Sequence, residues 1–244
     1  IQDEPRKKPK KLPVIPVIIG VALIILAAWG FGKNIHRGSH TGSSEIESAG
    51  EDYAIDWKDE NLEQAIREKT GVFDRKIMYS DVKDITSLNL NSKEISDISG
   101  LESMTNLTKL SVIHNKVSDI SSLSKLTNLT ELGLSGNEIS DISVLANLTN
   151  LSKLWLNHNK IYDISSLKDL ESLTELFLSG NEISDITDLA GLMNLTELGL
   201  SGNKISDINC LASMTNLKTL WVYDNNISDF SLVEKLPNLV LITK

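Results

Sequence analysis

Leu126 to Asn147 reads LTNLTELGLSGNEISDISVLAN, and the same frame returns every 22 residues along most of the chain. Leucines stand at 107, 129, 151, 173, 195, 217 and 239. Leu129, for example, is followed by Leu132, Leu134, Asn137, Ile139, Asp141, Ile142, Leu145 and Leu148. A weaker unit at Leu88–Leu101 opens the array, with Lys93 where later units carry asparagine. A period held over this many turns marks a stacked repeat, whose single unit cannot bury its own apolar face and relies on its neighbours.

Each position in the frame has a physical reason. Leu132 and Leu134 are two apart, so both point inward from a short strand while Glu131, Gly133 and Ser135 face out. Parallel strands of successive units then stack ~4.8 Å apart in one sheet. The asparagines that follow the strands (Asn115, Asn137, Asn159, Asn181, Asn203, Asn225) are expected to turn inward and bond the backbone of the coil. Leaving those groups unpaired would cost ~1–3 kcal/mol each. Asn106, Asn128, Asn150, Asn194, Asn216 and Asn238 form a second such column, broken by Ser172. Sequons such as Asn128-Leu-Thr fall on it and read as inward ladder residues, not glycan acceptors. Asp97 through Asp229 precede Ile or Phe in every unit and are expected to cap a short helical turn. One carboxylate per unit is too few for calcium.

The 244 residues carry a net charge of −9, which argues against a nucleic-acid partner, since a phosphate-binding surface needs a basic excess. Aromatics are only 5%, so the core is aliphatic. The lone Cys210 leaves no internal disulfide and reads as a small packing residue. His114 and His158 share a column but lie two units apart, ~10 Å, a poor spacing for a shared metal. No glycine-rich phosphate loop, nucleophile elbow or metal-ligand spacing is found, so neither an enzyme nor a cofactor is expected.

Upstream of the repeats the composition changes twice. Leu12 to Gly32 (LPVIPVIIGVALIILAAWGFG) is an uncharged apolar run, and roughly 20 such residues span the ~30 Å hydrocarbon layer. Its length exceeds a signal-peptide core, and no clean small-residue cleavage site follows, so an uncleaved transmembrane helix is expected. Five basic residues within 1–11 precede it and only Lys33 and Arg37 closely follow, which places the N-terminus in the cytoplasm and the repeats outside. Residues 33–54 are Gly/Ser-rich and acidic and read as a flexible tether, with His36 and His40 solvated. Residues 55–85 read as a helical cap for the exposed first edge of the sheet. Asp59 is the expected N-cap, Gly71 the C-terminal stop, and a second helical turn is expected at Ser80–Asp84. The repeats occupy 86–244.

The unit LTNLTELGLSGNEISDISVLAN resembles the bacterial 22-residue leucine-rich repeats of internalin-like surface proteins. WKDENLEQAIREKTG and YSDVKDITSLNL resemble that family's helical N-terminal cap, so the likeness covers Ile55 to Lys244. It implies an α/β solenoid: a leucine-rich-repeat horseshoe with a parallel sheet on the concave face and 3-10 or coil segments on the convex face. It also implies extracellular protein recognition on the concave strand face, without catalysis. An N-terminal membrane helix is expected to set the chain apart from the family, and the sequence reaches Lys244 within a unit.

With core positions set by the repeat, function falls to the outward ones. Between the two strand leucines stand Ser111, Gly133, Trp155, Phe177, Gly199 and Trp221, with Tyr223 nearby. Trp155 and Phe177 on adjacent rungs, ~5 Å apart, are expected to stack. Phe177 and Trp221 straddle Gly199, and the spacing predicts a ~10 Å gap that would admit a side chain or a sugar ring. Exposed aromatics of this kind favour binding hot spots. Beside them runs a charged column that includes Lys153, Glu175 and Glu197, expected to tune specificity and on-rate. The expected function is a membrane-anchored bacterial surface module for adhesion or assembly through protein recognition. The alternatives are the external part of a larger sensor, and carbohydrate binding on the same aromatic face.

Overall fold

The computed structural model describes residues 52–243. Eight three-residue strands lie in one parallel sheet in chain order: β1 Ser87–Asn89, β2 Lys109–Ser111, β3 Glu131–Gly133, β4 Lys153–Trp155, β5 Glu175–Phe177, β6 Glu197–Gly199, β7 Thr219–Trp221 and β8 Leu241–Thr243. Each strand pairs with the next in an unshifted register, as Leu132 with Leu154 and Leu154 with Leu176. One strand and its return path therefore make one rung. The return path carries a short 3-10 turn, such as Ser121–Lys125 or Ser143–Asn147, in the manner expected of the coil side.

Burial follows the leucine frame. Leu132, Leu134, Ile139, Leu145, Leu148 and Leu151 are fully buried, and the same positions recur in a single core from Ile55 to Leu236. The turn that leaves each strand is closed by its asparagine. Asn137 Oδ1 accepts from Val117 N at 3.0 Å, while its Nδ2 donates to Val112 O at 2.8 Å and Leu134 O at 2.9 Å. Asn159, Asn181 and Asn203 repeat this three-way clip one rung further along each time.

The second asparagine column differs from expectation. Asn106, Asn128, Asn150, Asn194, Asn216 and Asn238 are exposed rather than inward, because each lies at the outer corner before the strand. Their Nδ2 groups still donate to a carbonyl of the preceding rung, Asn128 to Thr105 O at 2.9 Å. The aspartates from Asp97 to Asp229 each accept from the N–H two residues on, as Asp141 does from Ser143 at 2.8 Å, and so initiate the 3-10 turns. These backbone N–H bonds hold the Asp141, Asp163, Asp185 and Asp229 carboxyls below their usual pKa.

The first edge is covered by a cap. Helix α1 spans Glu60–Thr70, buries Leu62, Ala65 and Ile66, and stops at Gly71, which takes φ 75. Asp59 does two jobs. Its Oδ1 caps α1 by accepting from Asn61 N and Leu62 N. Its Oδ2 accepts from Ser96 N at 2.8 Å and Ser96 Oγ at 2.9 Å, tying the cap to the first rung. Helix α2 spans Tyr79–Val82, one residue ahead of the expected turn. Asp52, Tyr53 and Ala54, which the sequence places in the tether, belong to the cap instead. Asp52 accepts from Ser80, Tyr53 O from Tyr79 N, and Ala54 bridges Met78.

Among the described residues no helix is long and apolar enough to cross a membrane. The expected span 12–32, the basic segment 1–11, and His36 and His40 of the tether lie outside the described residues.

Two outcomes follow. Leu154→Ala lowers the free energy of unfolding by about 2–5 kcal/mol in urea titration, whereas Glu175→Ala costs less than about 1 kcal/mol. Burial pushes the Asp59 carboxyl up, but its bonds to Ser96, Leu62 and Asp97 outweigh this and leave its pKa lowered. A lowered folded pKa means a contribution that is complete above the unfolded value, near pH 4, and lost as pH falls through the folded one. Thermal melts taken downward from pH 5 will therefore fall less steeply for Asp59→Asn than for wild type.

Candidate recognition face

The outer face of the sheet is built from alternate strand residues, so its relief is set by side-chain size on neighbouring rungs. Where a rung carries glycine, its neighbour leans across. A Cβ at Gly133 would stand 3.0 Å from Ile113 Cδ1, and one at Gly199 would stand 2.8 Å from Phe177 Cδ1. Phe177 thus lies over Gly199 and reaches Trp221, with ring centroids 5.5 Å apart and planes tilted by 39°. The predicted ~10 Å gap between them is closed. The missing side chain at Gly199 is what closes it.

Trp155 also departs from expectation. It is 5% exposed, so it belongs to the packed layer and offers almost no surface to a ligand. On this face the ring that Phe177 meets is Trp221, not Trp155. Phe177 and Trp221 are half-buried, and Tyr223 is 44% exposed. The open aromatic surface therefore centres on three residues of rungs five and seven.

The charged column is largely self-neutralised. Lys109 Nζ lies 2.7 Å from Glu131, and Lys153 Nζ lies 2.6 Å from Glu175. The Glu175 carboxylate beside Lys153 raises its pKa above the ordinary lysine value. Glu197 has no ion pair among the described residues. Burial first, and then the Glu175 charge, push its pKa up.

A second ion-pair series, not anticipated from the sequence, runs along the exposed turns after the strands. Lys116 pairs with Glu94 at 2.6 Å, Lys160 with Glu138 at 2.9 Å and Lys204 with Glu182 at 2.8 Å. The alternation Glu94, Lys116, Glu138, Lys160, Glu182, Lys204 at the repeat spacing is its signal in the sequence.

The remaining chemical candidates are structural. His114 and His158 sit at left-handed backbone positions with φ 55 and 54, and each imidazole lies over the glycine of the next rung, Gly136 or Gly180. A Cβ at either glycine would stand 2.5 Å from that Nδ1. Among the described residues no group of three or more His, Cys, Asp or Glu side chains converges on a metal-sized site. Cys210 Sγ donates to Ile186 O at 3.3 Å, and burial pushes the thiol up to about 11, so it is protonated at neutral pH. It packs, as expected, and is a poor nucleophile.

Leucine-rich repeats in two-copy form match residues 105–147, 127–169, 149–191 and 171–213. Among solved structures, an internalin (inlF) of Listeria monocytogenes is 33% identical over 75% of this chain and 55% of that one, with a TM-score of 0.73. Internalin C2 (inlC2) of the same organism is 32% identical, with 76% of this chain and 92% of that one covered and a TM-score of 0.64. The chain belongs to the internalin family of leucine-rich-repeat proteins. It spans about half the length of the inlF structure. A leucine-rich-repeat protein of Leptospira interrogans is 26% identical over 67% of this chain and 43% of that one, with a TM-score of 0.62. No curated protein matches the chain.

The different depths of the two tryptophans give opposite expectations. Trp155→Ala lowers the free energy of unfolding by about 3–5 kcal/mol, because it removes a buried ring. Trp221→Ala costs clearly less in the same urea titration.

Proposed function

We propose that this internalin-like chain is a protein-recognition module, held outside a bacterial membrane by residues 12–32, that engages its partner through the outer face of the sheet. The observation that carries this reading is the Phe177–Trp221 pair, flanked by Tyr223, on a face where Trp155 is buried and Lys153 is already paired with Glu175. Large aromatics at half-exposed positions supply contact area at low entropic cost. Membership of the internalin family agrees with a recognition role and gives no support to catalysis. The anchored, extracellular placement rests on the apolar run and its basic flank alone. A sugar-binding slot is disfavoured because the rings meet at 5.5 Å over Gly199.

The test is affinity capture from a panel of surface and extracellular proteins on the immobilised full chain. Partners retained by wild type are lost in the Phe177→Ala, Trp221→Ala double variant, while Tyr162→Ala on the coil side keeps them. Identical partner sets from wild type and the double variant would show that another face is used.

A further inference from the structure

The ion pairs of the two columns alternate in phase. Along the exposed turns they join rungs one and two (Glu94–Lys116), three and four (Glu138–Lys160), and five and six (Glu182–Lys204). On the sheet face they join rungs two and three (Lys109–Glu131) and four and five (Lys153–Glu175). Every joint from rung one to rung six is thus crossed by one pair. Continuing the sheet column would place a lysine at 197 and a glutamate at 219, but the chain has Glu197 and Thr219.

The hydroxyl ladder stops at the same joint. Thr108, Thr130, Ser152, Thr174 and Thr196 each donate a hydroxyl to the carbonyl one rung back, at 3.0 or 3.1 Å, and the next position is Lys218. At the same joint the buried Ser201 Oγ has no hydrogen-bond partner. The asparagine clip still crosses this joint, Asn225 Nδ2 to Leu200 O at 2.9 Å, and on the sheet face the aromatic pair spans it, Phe177 of rung five against Trp221 of rung seven. The result is a half-buried carboxylate that makes no ion pair among the described residues and feels Lys153 and Lys218 only at longer range, on the same strand and face as Gly199. At ~3.3 Å per residue, Glu197 lies ~7 Å along the strand from the floor of the aromatic pair.

We propose that Glu197 with the Phe177–Trp221 pair forms the seat for an arginine side chain presented by a protein partner. This rests on the recognition reading above. A guanidinium is planar and stacks on aromatic faces, within ~6 Å of a ring centroid, while its N–H fork meets a carboxylate in two bonds. The ~7 Å offset between Gly199 and Glu197 along the strand is within the reach of an arginine side chain laid on that face. Lysine offers a point charge without the stacking plane. Charge complementarity points the same way: Lys153 is already paired with Glu175, and the chain as a whole carries −9. The N-terminal half of the column is self-neutralised and offers no such vacancy.

The test uses the full chain and three blocked tripeptides, acetyl-Gly-Arg-Gly-amide and its lysine and citrulline counterparts, read at the Trp221 indole N–H by NMR. The arginine peptide shifts that signal saturably in the millimolar range. The lysine peptide binds at least about threefold more weakly, and the uncharged citrulline peptide does not saturate. Glu197→Gln weakens the arginine peptide about tenfold, and Glu131→Gln leaves it unchanged. Equal response to all three peptides, no response, or no effect of Glu197→Gln overturns the proposal. The two readings fail separately. Partner capture that depends on Phe177 and Trp221 but is indifferent to Glu197→Gln sinks the arginine seat alone. Peptide binding without any captured protein sinks the recognition reading alone.

Discussion

A coil that returns on itself every 22 residues must turn its backbone inward after each strand, into a core that holds only aliphatic side chains. The amide and carbonyl groups of that turn cannot reach water, and each left unpaired would cost about 1–3 kcal/mol. One asparagine per rung answers for three of them. The leucines supply the larger burial energy, but burial is non-directional and would tolerate a slipped stack. The asparagine would not. Asn159 reaches back 25 residues to Leu134 O and 20 to Ile139 N, so one inserted residue breaks bonds on both sides. The constant period is the sequence record of that geometry.

The same constraint explains which parts of the structure are legible in the sequence. Leu132, Asn137, Asp59 and Gly71 are set by period, pleat or helix-end chemistry, all local or repeated rules, and the structure places them as those rules require. Asn128 shows the limit. Its column and its backbone bond can be read from the repeat, but its exposure depends on which side of the strand corner it occupies. The outer face of the sheet is less legible still. Pleat direction tells that Trp155, Phe177 and Trp221 point outward, not whether neighbouring side chains then cover them. Trp155 is buried, and Phe177 falls across Gly199, because relief on a sheet with ~4.8 Å spacing is decided by pairs of rungs. The usable signal is a glycine beside a large residue in the same column.

Ion pairs across the rungs are individually weak, since exposed pairs contribute about 0–1 kcal/mol. Their arrangement still matters. Placing pairs alternately on the turn edge and the sheet face lets each joint carry one while no side chain serves two partners. The face is thereby neutral from Lys109 to Glu175, and an extended partner gains little there beyond shape. Specificity through charge needs a site where this accounting is left open.

That site falls where the side-chain pattern across the rungs changes. Between rungs six and seven the hydroxyl ladder ends at Lys218, the sheet-face alternation fails at Glu197, and Ser201 is left without a partner. The backbone ladder continues through it, Leu200 N to Trp221 O at 2.7 Å, so the rung is held but its outer side chains are released from the pattern. Phe177 and Trp221 take over the side-chain bridging there. Residues that a repeat does not need for stacking are the ones it can commit to a ligand. Here the two duties overlap: the ring pair closes the stack, and by closing it presents a hydrophobic platform beside the Glu197 carboxylate, which makes no ion pair among the described residues.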